Sequence, residues 1–153
     1  MTDYVRDPAE ITRLSFAAIR READLSGLPA DIEPMALRMI HACGMVDLPD
    51  DLAFSPGAGN VGRDALAKGA PILTDVAMVA QGIAARRLSS GNKVLCMLSQ
   101  NDIEARAREA GITRSAAGVE LWRPRLSGAI VAIGNAPTAL FRLLEILGGE
   151  AAR

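Results

Sequence analysis

Aromatic side chains are scarce in this chain of 153 residues: Tyr4, Phe16, Phe54, Trp122 and Phe141 make up only 3% of it. So few rings cannot build the stacking platform of a single-stranded nucleic-acid binder. No sign of charge dominates either, since 17 Lys and Arg face 18 Asp and Glu. The basic face that a phosphate backbone requires is missing, so no nucleic-acid partner is expected. Two cysteines, Cys43 and Cys96, are too few for a disulfide framework or a cysteine-rich metal site. One histidine, His41, excludes histidine-based zinc sites and any Ser-His-Asp triad not built on it. No metal site is expected. The longest uncharged stretch, residues 126–141, is broken by Gly134, Asn135 and Pro137. It falls short of the ~20 apolar residues of a membrane helix. Residues 1–7 are polar and lack the apolar core of a signal peptide. These absences point to a soluble, cytoplasmic protein with no membrane partner.

What is present is aliphatic. Half of the residues are hydrophobic, mostly Ala, Leu, Ile, Val and Met. A chain of this length buries ~68–70% of its unfolded surface, enough for one core, and 1–153 reads as a single domain. Asp7-Pro8-Ala9-Glu10 is a helix start, with an Asp cap, Pro in the first turn and Glu three residues on, and the helix should reach about residue 24. Ser15 falls inside its apolar stripe of Ile11, Leu14, Ala18 and Ile19. Its hydroxyl either bonds back to a carbonyl one turn earlier or faces a ligand. A second helix should begin at residues 31–34 and stop before Gly44. It stacks Leu37, His41 and Met45 on one side and places Arg38 beside His41. Cys43 lies opposite His41, which makes a Cys-His nucleophile pair poor. Asn60 is the expected cap of a third helix reaching Lys68.

Beyond that point strands and helices alternate. Strands are expected over 70–74, 93–98 and 128–134, and helices over 78–83, 100–110, 113–122 and 138–147. This rhythm predicts an α/β fold with a buried parallel sheet and helices on both faces, preceded by N-terminal helices. In such sheets ligands bind beyond the carboxyl ends of the strands. The turn Gly134-Asn135-Ala136-Pro137-Thr138 lies there, and it is either a plain helix cap or a nest of N–H groups for a carboxylate or phosphate. Arg114 opens a helix at the end where its dipole disfavours a cation, so it is either a surface residue or waits for an anion. With Arg38 it could grip carboxylates in two-pronged fashion. His41 is the one side chain whose ordinary titration lies near neutrality, and spacing alone makes it either a core or surface histidine or a catalytic one. No Walker pattern or G-x-G-x-x-G supports nucleotide binding.

Four strings carry more information: R-M-I-H-A-C-G-M at 38–45, G-A-P-I-L-T-D at 69–75, T-R-S-A-A-G at 113–118, and V-A-I-G-N-A-P-T-A-L-F-R-L-L-E at 131–145. With Tyr4-Val5-Arg6-Asp7 and Ser15-Phe16, they resemble the precorrin-8X methylmutase family in order and spacing across the whole chain. The resemblance implies a flavodoxin-like homodimer of cobalamin biosynthesis, with its active site near the subunit interface. It implies an isomerase that moves a methyl group between adjacent ring C carbons, converting the tetrapyrrole precorrin-8X to hydrogenobyrinic acid without metal or redox cofactor. His41 falls on the family's proposed acid, which would protonate the macrocycle and ease migration. Ser15, Arg38, Arg114, Ser115, Asn135 and Thr138 are the implied substrate contacts, the arginines and the Asn135 amides meeting carboxylates. The family pattern continues with a further strand and a G-F-V-G-A-A-E-S-K segment, so a C-terminally shortened member is expected. Thr74, Ala77 and Ala84 stand where Cys, Glu and Thr are usual. The alternatives are the cobalt-precorrin-8 enzyme of the anaerobic pathway, a non-catalytic tetrapyrrole-binding fragment, and an anion-binding α/β domain unrelated to corrins.

Overall fold

The structure is a computed structural model and describes residues 4–88 and 90–151. The first three residues of the polar N-terminus and the last two of the expected domain lie outside them. Their contacts form two compact units, one up to Val61 and one from Gly62 onward.

The first unit is helical. Helix α1 spans Pro8–Glu22, and the Asp7 carboxylate accepts the Glu10 N–H at 2.8 Å, the expected cap. Helix α2 spans Glu33–Cys43 and ends at Gly44, whose φ of 75° is a left-handed turn that favours glycine. Ile19, Ala23, Leu37 and Ile40 form the core between α1 and α2, with Phe16, Leu25 and Leu48 against them. The expected stack of Leu37, His41 and Met45 divides, because only Leu37 is buried while His41 and Met45 are exposed. Positions i and i+4 drift around a helix of 3.6 residues per turn, so the buried contact with α1 ends at Ile40 and His41 meets Ser15 and Phe16 of α1 at its exposed margin. Helix α3, Ala58–Ala67, starts two residues before the Asn60 cap expected from sequence. Asn60 sits in its first turn and donates its backbone N–H to Asp31 Oδ2 at 3.2 Å. The division between the units falls within α3.

The second unit holds the sheet. Its elements are β1 (Ile72–Thr74), α4 (Ala77–Gly82), β2 (Val94–Cys96), α5 (Ile103–Ala110), α6 (Arg114–Glu120), β3 (Ile130–Ala132) and α7 (Pro137–Ala151). All pairings are parallel and the strand order is β2-β1-β3. Thr74 lies opposite Cys96 on one side and Ala132 on the other. Central β1 is wholly buried and the flanking strands half-buried, as expected of a parallel sheet covered by helices. Leu73, Met97, Val119, Trp122, Ala139 and Ile146 form the main core, and Ile103, Ala107 and Ala117 join α5 to α6. The Asn92 amide ties the end of α3 to the approach of β1, donating to the carbonyls of Leu66 and Ala70 at 2.9 and 3.0 Å. Helix α7 continues past the expected stop at 147 through Gly148 and Gly149, neither of which adopts a positive φ. The α/β parallel sheet, preceded by N-terminal helices, thus matches the sequence reading.

Candidate functional site

In the first unit, α1 and α2 bring three of the expected residues together. Ser15 Oγ lies 2.7 Å from His41 Nδ1, a full hydrogen bond between residues 26 apart in the chain. The Ser15 hydroxyl therefore does not turn back onto its own helix. Phe16 meets the His41 ring edge to face, with centroids 5.4 Å apart and planes at 76°. Arg38 packs its guanidinium over the other contact of that ring, Cζ lying 5.8 Å from the Phe16 centroid. His41 is exposed on the last turn of α2, and no carboxylate among the described residues hydrogen-bonds to it. The arrangement can hold an imidazole in one orientation and offer its second nitrogen, Nε2, to a ligand. Phe16 is the residue here whose part the sequence reading did not assign.

In the second unit, the turn after β3 corrects an expectation. The N–H groups of Gly134, Asn135 and Ala136 form a nest as anticipated, but the Asp75 carboxylate fills it at 3.3, 2.9 and 2.7 Å. Those amides are thus unavailable to a substrate carboxylate, and only the exposed Asn135 side chain remains for such a contact. Asp75 is itself buried at the end of β1. Burial pushes its carboxyl pKa up, yet the backbone N–H groups of Ala136, Asn135, Gly134 and Val76 draw it down further, and it ends below the ordinary carboxylate value. Sequence reading placed Asp75 at a strand end without a role, because its three donors lie some 60 residues away.

Arg114 likewise already has an anion. Its guanidinium lies 3.4 Å from Glu104 on α5, both side chains being more than half exposed. Thr113 caps α6 by accepting the Ala116 N–H at 3.2 Å, and its hydroxyl meets that of Thr138 at 2.8 Å. An open groove of about 370 Å³ is lined by Thr113, Thr138, Phe141, Arg142 and Glu145. Ser115 is half-buried in the first turn of α6. Among the described residues no three His, Cys, Asp or Glu side chains cluster in a way that could hold a metal ion. None of their helices is long and apolar enough to cross a membrane.

A parallel sheet ordered 2-1-3, with the chain switching sides at the central strand, belongs to the open α/β class of enzymes that bind ligands beyond the strand ends. The comparisons with known proteins are specific within that class. The model of the precorrin-8X methylmutase family matches residues 10–153. The precorrin-8X methylmutase of Pseudomonas aeruginosa is 58% identical over 151 residues, covering 99% of this chain and 73% of that protein. That of a Sinorhizobium species is 52% identical, over 95% of this chain and 69% of the relative. The crystal structure of precorrin-8x methyl mutase from Thermus thermophilus superposes with a TM-score of 0.82 at 35% identity, covering 92% of this chain and 69% of that one. The chain belongs to the precorrin-8X methylmutase family, and it is an isomerase.

Proposed function

We propose that this protein converts precorrin-8X to hydrogenobyrinic acid by migration of a methyl group between adjacent ring C carbons, with His41 as the general acid. The observation that carries this reading is the pairing of Ser15 with His41 Nδ1, which leaves Nε2 of an exposed imidazole as the proton donor. A proton delivered to the conjugated macrocycle makes it electron-poor and lowers the barrier to the 1,5-shift, an effect typically worth about 10²–10⁴ in rate. One carbon–methyl bond breaks and one forms on the neighbouring carbon, and the borrowed proton is returned. Substrate and product are isomers, so the reaction needs no oxidant, reductant or redox cofactor.

Arg38, Arg114, Ser115, Asn135 and Thr138 bind the substrate's periphery, the arginines gripping carboxylates. The Pseudomonas and Sinorhizobium relatives, at 58% and 52% identity, are named for precorrin-8X, which favours the metal-free substrate over its cobalt form. The protein works in the cytoplasm as a homodimer. In support, α7 exposes an apolar row, Leu140, Phe141, Leu144 and Leu147, at the spacing of one helical face.

The test begins with an absorbance titration of the purified protein with hydrogenobyrinic acid, followed by turnover of precorrin-8X. Saturable binding and conversion are expected. Tight binding without conversion, unchanged in His41→Ala, would instead establish a tetrapyrrole-binding protein, and a folded chain that binds no pigment would remove the corrin reading.

A further inference from the structure

We propose that Ser15 and Phe16 act on His41 as a positioning clamp, with Ser15 working through the imidazole rather than through the substrate; this rests on the reading of His41 as the acid. Two consecutive residues of α1 restrain the ring on different parts of its perimeter. Ser15 fixes Nδ1 by a 2.7 Å hydrogen bond, and Phe16 packs against the ring at 76°. The Phe16 ring is in turn packed beneath the Arg38 guanidinium, so α2 supplies both the clamped residue and the support of the clamp.

The hydroxyl suits this task because it both donates and accepts. When the imidazole is neutral, the Ser15 O–H donates to Nδ1 and the ring proton resides on Nε2. When the imidazole is protonated, Nδ1–H donates to Ser15 Oγ instead. The same heavy-atom geometry serves both states, so Nε2 remains the exchanging nitrogen on either side of the proton transfer. An alanine at 15 offers neither partner and releases the ring to turn about its side-chain torsions.

The chain has a single histidine, so ¹⁵N-histidine labelling reports this ring alone. In the wild-type protein the neutral ring should show a proton on Nε2 and a hydrogen-bonded Nδ1. Ser15→Ala should move the Nδ1 resonance to that of a free imidazole and lower kcat ~10- to 100-fold with KM within about threefold, and Ser15→Thr should restore both. Phe16→Leu, which leaves Ser15 in place, should broaden the ring signals by allowing it to reorient. An Nδ1 resonance indifferent to Ser15→Ala, or a raised KM with kcat intact, would overturn the clamp and make Ser15 a substrate contact. Undiminished turnover in His41→Ala would overturn the acid reading itself, whatever the resonances show, and the positioning role with it.

Discussion

Asp75, at the end of the central strand, accepts the backbone N–H of Ala136 at 2.7 Å and thereby joins β1 to the start of α7. The same carboxylate takes the N–H groups of Gly134 and Asn135, so one buried side chain satisfies three successive donors at the point where the strand order reverses. In other open α/β sheets a phosphate or carboxylate ligand occupies such a nest. Here the chain supplies its own anion. Asp75→Asn keeps the shape but turns an amide NH₂ towards N–H donors, leaving at least one buried donor unmatched. A loss of about 1–3 kcal/mol is expected in urea denaturation, with the parallel sheet retained by circular dichroism.

The acid stability of the protein follows from the same contact. The Asp75 carboxyl has its pKa depressed in the folded state, so the unfolded chain takes up its proton first as the pH falls. The stabilisation is complete above the unfolded value, near about 4, and is lost as the pH drops through the lower, folded one. Urea midpoints measured from pH 6 down to pH 2 should therefore fall below about pH 4. The decline should be shallower in Asp75→Asn, and equal slopes in the two proteins would show that Asp75 is not the group responsible.

On the proposed role of His41 as the acid, removing the imidazole separates catalysis from folding. His41 is exposed and contributes to the first unit only through Ser15 and Phe16. His41→Ala should cost about 1 kcal/mol or less, the net worth of an ordinary hydrogen bond. Turnover should fall by about 10²–10⁴, the usual contribution of a general acid. Retained activity in a folded His41→Ala protein would move the proton donor elsewhere.

Local chemistry was the legible part of this sequence. The Asp7 cap, the Gly44 stop and the alternation of strands and helices follow from short-range rules, and the structure shows each of them. The strands came out shorter than their apolar runs, because ladder pairing involves only three residues of each. The long-range contacts could not be read in this way. Ser15 and His41 are 26 residues apart, Asp75 and Ala136 are 61, and no periodicity links either pair. The nest at Gly134 was anticipated from its residues, but its occupant was not. The sequence left Arg114 either at the surface or awaiting an anion; it is exposed, and the carboxylate beside it is Glu104 of the same chain.

A glycine tests the packing of the first unit. A β-carbon placed on Gly59 would lie 2.1 Å from the Asp31 carbonyl oxygen, a backbone atom that cannot rotate away. The Asn60 N–H bond to the Asp31 carboxylate depends on this close approach. Gly59→Ala should therefore destabilise the protein by about 1–3 kcal/mol despite alanine's better helix propensity. The neighbouring Gly62 has open space around it, so Gly62→Ala is the control and should be neutral or slightly stabilising in the same denaturation experiment.

The pairing of Arg114 with Glu104 gives opposite expectations for its two members. Both side chains are well exposed and 3.4 Å apart, so the pair adds about 0–1 kcal/mol at most to stability and yields readily to a better anion. On the proposed role of Arg114 as a substrate contact, Arg114→Ala removes a charge-assisted bond to a carboxylate, worth about 1.5–3 kcal/mol, and should raise KM with little change in kcat. Glu104→Gln removes the competing carboxylate instead. It should leave the thermal midpoint within a degree or two of wild type, lower KM a few-fold, and reduce the salt dependence of binding, because Arg114 no longer has to be released from its partner. Steady-state kinetics of both variants over a range of ionic strengths provide the measurement. A KM that rises in Glu104→Gln would mean that the glutamate holds Arg114 in place for the substrate and does not compete for it.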